Sequence, residues 1–219
     1  MNSRERVTMA LNHQEPDRVP LDLGGSVVTC MHVSIVYKLR QALGLDAPGT
    51  PVKVVEPYQM LGEIKPDLQD ALGVDVATLR GPKTMFGFKR EGWQPWEMFD
   101  GTPVLVPAGF NTEPEPNGEI LMYLEGDKSV PPSGRMPKNG WYFDSIIRQE
   151  PIDEDNLNPA DNLEEFTPIS EEDLAYYRQE TEKLKQSRKG VVGSCGFALC
   201  LANAAAIPAP ASHAEQQVR

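Results

Sequence analysis

The chain opens on Met1-Asn2-Ser3-Arg4-Glu5-Arg6-Val7 and runs through Glu15-Pro16-Asp17-Arg18-Val19-Pro20-Leu21-Asp22-Leu23 to the pair Gly24-Gly25. Asn2 predicts a helix cap. Its side-chain oxygen can accept from a first-turn amide, and Glu5, three residues on, completes a capping box. Val7, Ala10 and Leu11 fall at helical spacing. Glu15-Pro16-Asp17 turns the chain, and Val19–Leu23 reads as a buried strand. The two glycines after it let the backbone turn sharply or approach a ligand closely. A short helix, a turn and a strand ending in glycines is one way for a (β/α) barrel enzyme to begin.

The alternation continues. His32, Ile35, Val36, Leu39 and Leu43 mark one face of a second helix, stopped by Gly44. Val52–Val55 predicts a second strand, Leu61–Leu72 a helix in which Pro66 opens a fresh turn, and Val74–Leu79 a third strand after Gly73. Strands alternating with helices point to parallel βαβ units. Between residues 81 and 150 the rhythm changes to short strands and turns. Asp100-Gly101 is the turn of a hairpin with Val104-Leu105-Val106 as its return strand. Glu119–Leu124 and Gly140–Asp144 read as further short strands. An acidic linker over 150–169 leads to a helix started by Ser170 with Asp173, and Val191-Val192-Gly193 begins a fourth barrel strand. The expected fold class is therefore α/β: a partial (β/α)8 TIM-type barrel of about four strands with a β-rich insertion. The domain would span 1–196, with the insertion at 81–150. The Ala- and Pro-rich segment 197–219 is expected to be a disordered tail.

Composition narrows the function. A net charge of −11 argues against a nucleic-acid or anionic-membrane binder. Most of the acid in the second half lies in residues 150–182, which reads as a solvated linker and helix face, with cation binding as the alternative. No stretch reaches the roughly 18 apolar residues of a membrane span, and the N-terminus has no apolar signal core. A cytoplasmic protein is expected. Cys30, Cys195 and Cys200 are odd in number and form no disulfide framework, so reduced thiols are expected.

Ser3-Arg4-Glu5-Arg6-Val7, Ala10-Leu11-Asn12-His13, Glu15–Pro20, Gly73-Val74-Asp75, Asp100–Pro107 and Pro132–Pro137 occur in order over residues 1–193. In this respect the chain resembles the uroporphyrinogen decarboxylase superfamily, in its corrinoid methyltransferase-like branch. The resemblance implies a (β/α)8 barrel with its site at the carboxyl ends of the strands. It implies one of two chemistries. The first is cofactor-free decarboxylation of uroporphyrinogen, in porphyrin biosynthesis. The second is methyl transfer between a corrinoid and a donor or thiol, with zinc activating the thiol. The decarboxylases place arginines after the first strand, where this chain has Gly24-Gly25, and a catalytic Asp after the third, where it has Arg80. Both departures favour methyl transfer, with uroporphyrinogen decarboxylase as the alternative enzyme. The family's zinc ligands belong to the second half of the barrel, so no metal site is expected in this chain. Zinc and corrinoid are expected only for a full-length parent.

Candidate substrate-binding residues follow from position. Gly24 and Gly25 end the first strand, as a tight turn or a ligand approach. His32 lies just beyond, facing the pocket or starting a helix. Tyr58 and Gln59 follow the second strand. Asp75, inside the third, would need a partner if buried, for structure or for catalysis. Arg135 grips an anion or pins the insertion. The partner expected is a small molecule or a corrinoid protein. A full barrel takes about 250 residues, against 219 here. The chain is therefore expected to be a fragment or frameshifted reading of a longer enzyme. The alternatives are a partner chain supplying the missing half-barrel, or an inactive remnant or interaction module.

Overall fold

In a computed structural model, residues 1–147, 153, 155, 157–158 and 169–193 are described. Helix α1 (Ser3–Leu11) starts at the capping box: Asn2 Oδ1 accepts the Glu5 amide at 2.9 Å, and Glu5 Oε2 accepts the Asn2 amide at 2.9 Å. Helix α2 (Val33–Ala42) follows, then strands β1 (Val52–Glu56) and β2 (Leu61–Gly62), helix α3 (Pro66–Leu72) and strand β3 (Val76–Leu79). Pro66 opens α3, and Gly73 closes it at φ +69°, where a side chain would be strained. Strands β4 (Gln94–Glu97) and β5 (Pro103–Val106) form a hairpin. Strands β6 (Ile120–Met122), β7 (Gly134–Met136) and β8 (Asp144–Ser145) form a meander. Helix α4 (Glu171–Lys185) leads into β9 (Gly190–Gly193). Ser170 caps α4 by accepting the Asp173 amide at 3.0 Å.

The partial barrel is not what forms. The described strands make three separate sheets: a mixed sheet in the order β2-β1-β5-β4, a parallel pair β3-β9, and the antiparallel β6-β7-β8. A barrel needs each strand to take the next parallel strand as its neighbour. Here β1 has β2 antiparallel on one side and β5 parallel on the other. With both edges used, it cannot pair with β3, so no barrel wall propagates. The first expected strand, Val19–Leu23, is not a strand either. Pro20 has no amide to give, and the Leu21 amide donates to the Asp75 carboxylate rather than to a strand carbonyl. The expected helix over Leu61–Leu72 forms only from Pro66, because Leu61–Gly62 joins β1 as a strand. The stretch 81–150 is no separate insertion on a barrel, since its β5 shares a sheet with β1.

The main core lies between residues 33 and 143. Val33 and Val36 of α2, Val52 and Val54 of β1, Val104 and Val106 of β5 and the buried Phe86, Phe88, Phe110 and Phe143 form one cluster. Among the described residues no helix is long and apolar enough to cross a membrane. The tail at 197–219, Cys195, Cys200 and almost all of the acidic linker lie outside the described residues.

Candidate functional site

The two ends of β3 differ in chemistry. Asp75 precedes it and Arg80 follows it, about 16 Å apart along an extended chain. At the first end Asp75 has no exposed surface. Its carboxylate takes Arg6 Nη1 at 2.6 Å, Arg18 Nη1 at 2.7 Å and the Leu21 amide at 2.9 Å. Arg6 also holds Asp17 at 2.6 Å. Burial pushes Asp75 up. The Leu21 amide, Ser3, Arg18 and Arg6 outweigh it and hold the carboxyl at about 2. Asp75 thus has the partners a buried carboxylate needs, and they come from the opening motif itself. Beside this end runs a groove of about 770 Å³ lined by Arg18, Asp70, Lys183, Arg188 and Lys189. Three of these four cations are already paired, Lys189 with Asp70 at 2.9 Å, Lys183 with Glu180 at 2.5 Å, and Arg18 with Asp75.

At the carboxyl end the first segment, β1 and β3 converge. The Thr78 hydroxyl lies 2.6 Å from the Gly24 carbonyl, with the Gly25 carbonyl also in reach, and Arg80 Nη2 donates to Gly24 at 3.2 Å. Gly24 is needed there: it sits at φ +81°, and a Cβ would lie 2.8 Å from Ile64 Cγ1. At Gly25 a Cβ would lie 2.4 Å from Asp22 Oδ1, the atom that accepts the Gly25 amide. Both glycines are occupied by close protein packing.

Arg90 ties the remaining loops. Its Nε donates to Gly81 at 2.9 Å, Nη2 to Lys83 at 3.2 Å and Nη1 to the Val55 carbonyl. Burial, then the neighbouring Arg80 charge, bring its pKa down to about 10. Glu56, at the end of β1, is buried, and its two oxygens accept the Tyr58 and Gln59 amides at 3.0 and 2.9 Å. Burial pushes its carboxyl up despite those bonds. Cys30 donates to the Gly62 carbonyl at 3.3 Å. Burial raises the thiol's pKa although Arg80 opposes the shift, so at neutral pH it is a thiol and not a thiolate nucleophile. Tyr176 and Tyr177 of α4 complete this end: both act electrostatically on Arg90, and the Tyr177 hydroxyl abuts Gly81.

The structure thus brings Gly24 and Gly25 together with the segment that carries Tyr58 and Gln59. Tyr58 turns toward β8, its hydroxyl 2.9 Å from Ser145 Oγ, and Gln59 is exposed. His32 is the N-cap of α2. Its Nδ1 accepts the Ser34 amide at 3.2 Å, so Nε2 carries the proton toward the Trp141 carbonyl at 2.8 Å. Arg135 stands exposed on β7, opposite Asp144, in another sheet. Sequence reasoning missed Arg80, Arg90 and Glu56 as site residues. Glu56 and Arg80 could have been found, because each directly follows a predicted parallel strand. Arg90 could not, because only the fold returns its loop to β1.

Among the described residues no three His, Cys, Asp or Glu side chains converge. They do not fit a zinc ion. Arg80 and Arg90, both half-buried, make the carboxyl ends of β1 and β3 cationic. No family model, no curated protein and no solved structure matches this chain.

Proposed function

We propose that this chain belongs to the uroporphyrinogen decarboxylase superfamily, in its corrinoid methyltransferase branch, and that it acts in the cytoplasm. Its described residues would hold a small-molecule substrate at the carboxyl ends of β1 and β3. The carrying observation is the convergence of Gly24, Thr78, Arg80 and Arg90, through which three consecutive segments share one end. The motif residues lend support. Arg6, Asp17, Arg18 and Asp75, which carry the resemblance, form a single ion-pair network around the buried Asp75, a physical reason for them to occur together. Arg80 stands where the decarboxylases have a carboxylate, which favours methyl transfer.

These residues bind and orient; zinc chemistry is not assigned to them, because their donor set does not fit the ion. The purified chain is incubated with a methylated corrinoid and a thiol, and separately with uroporphyrinogen. Methylated thiol would support methyl transfer by this chain without a zinc site among its described residues. Carbon dioxide release from uroporphyrinogen would select the decarboxylase instead, and turnover of neither would reject the assignment.

A further inference from the structure

Among the described residues, the buried or half-buried arginines fall into two groups. Arg6 and Arg40 each reach a carboxylate: Arg6 takes Asp75 at 2.6 Å, and Arg40 takes Asp46 at 2.6 Å and Asp67 at 2.8 Å. Arg80 and Arg90, both half-buried, reach none among the described residues. The carboxylate that acts on Arg90 is engaged elsewhere: both Glu56 oxygens hold backbone amides. A half-buried guanidinium without a carboxylate is costly, and two side by side more so.

Their donors are used unequally. Arg90 is clamped through all three of its nitrogens by carbonyls, so its plane is fixed and its charge is presented without freedom to move. Arg80 gives one bond to Gly24, and its charge acts on the Cys30 thiol. Most of its five N–H donors have no partner among the described residues. A fixed cation beside a cation with spare, coplanar donors is the arrangement that takes up a planar or tetrahedral oxyanion.

We propose that Arg80 and Arg90 form an oxyanion subsite, Arg80 binding a carboxylate or phosphate of the substrate through its free donors and Arg90 supplying fixed charge. Tyr176 and Tyr177 of α4 lie near enough to act electrostatically on Arg90. The inference rests on placing the substrate at the carboxyl ends of β1 and β3, but not on the methyl-transfer chemistry.

The test is therefore one of binding, with neither corrinoid nor thiol present. The full chain is titrated calorimetrically with succinate and, separately, with inorganic phosphate, at ionic strength held constant with sodium chloride. Saturable binding of either probe is expected, and which one binds identifies the oxyanion. Arg80→Gln should weaken that binding at least about tenfold and Arg80→Lys less, since lysine keeps the charge and loses the fork. The exposed Lys128→Gln should leave it unchanged. In the wild-type chain the probe should also shift the Nε–H resonances of Arg80 and Arg90, a readout that needs no variant to fold. Binding of neither probe above the chloride control, equal binding by folded Arg80→Gln, or unmoved Nε–H signals would each overturn the subsite. A methyl-transfer assay that fails while the probe binds rejects the reaction and leaves the subsite standing.

Discussion

Two regions of this molecule are held together by different forces. The region built on α2, β1, β5 and the β6-β7-β8 meander has an apolar core with four buried phenylalanines. The region built on α1, β3, β9 and α4 contributes no residue to that core. In α1 the buried residue is Arg6, in β9 it is Gly190, and α4 has none. What joins these elements is polar. Arg4 donates to the Ser187 carbonyl at 2.6 Å, its amide to the Arg188 carbonyl at 2.7 Å, and the Gly190 amide to the Asp75 carbonyl at 2.8 Å. The Asp75 network sits at the centre. The difference teaches that a strand pair can be positioned mainly by hydrogen bonds and ion pairs, with only Val76 and Ala77 of β3 as buried apolar residues. The cost is that each partner becomes indispensable, because breaking one leaves a buried charge bare.

The largest expected effect tests the apolar side. Phe86 is fully buried and meets the rings of Tyr58, Phe88 and Phe143 at 6.1, 5.9 and 6.2 Å. Phe86→Ala should cost about 4 kcal/mol in urea unfolding, with hydrogen-exchange protection lost throughout the core. If the loss is under about 1 kcal/mol, the cluster is not what holds that region.

On the polar side, Asp75→Ala should cost about 3 kcal/mol, since it removes the carboxylate shared by Arg6, Arg18 and the Leu21 amide. The exchange pattern separates the two regions: amides of β3 and β9 should lose protection while those of β1 and β5 keep theirs. Uniform loss would mean that the regions are one cooperative unit.

Acid offers a reversible version of that break. Asp75 sits at about 2 against an ordinary 3.8, so the folded chain takes up its proton less readily than the unfolded one. Its stabilisation is complete above about pH 4 and is lost as the pH falls through 2. Wild-type protein should therefore destabilise over this window, and Asp75→Asn should flatten part of the slope. A variant with an unchanged slope would remove Asp75 from the account.

Smaller effects remain. His32→Ala removes the α2 cap, at about 1 kcal/mol. Burial lowers the His32 pKa below its ordinary 6.5, with the Trp141 carbonyl and Asp100 opposing and Lys38 assisting. The stability it confers is present above pH 6.5 and is lost as the pH falls below that. His32→Asn, which caps without titrating, should abolish this step in thermal melts between pH 8 and 5. Arg4→Ala should cost about 1 kcal/mol and loosen α1 from β9, visible as faster exchange of the Gly190 amide.

Local signals were legible wherever the physics is local. The Asn2–Glu5 box, the Ser170 cap, the Asp100-Gly101 turn and the Gly73 stop each depend on residues a few positions apart, and each forms. The helix face at Ile35 and Leu43 was read less well, for both are exposed, whereas Arg40 on the same helix is buried by its two aspartates. Hydrophobic periodicity cannot register an arginine as core. Of the candidate site, the glycines after Val19–Leu23 were found by position. The guanidiniums that converge on them were not, because Arg80 read only as a missing carboxylate and Arg90 lies in a loop with no periodicity.

By itself, then, the sequence determined where helices start, where turns fall, and which segments can extend, because caps, glycines and β-branched runs act over a few bonds. Only the tertiary structure decided which strands are neighbours. Strand pairing depends on which edge is taken first, and β2 and β5 occupy both edges of β1. That choice turned an expected barrel wall into three small sheets, and left Arg80 and Arg90 together where β3 ends.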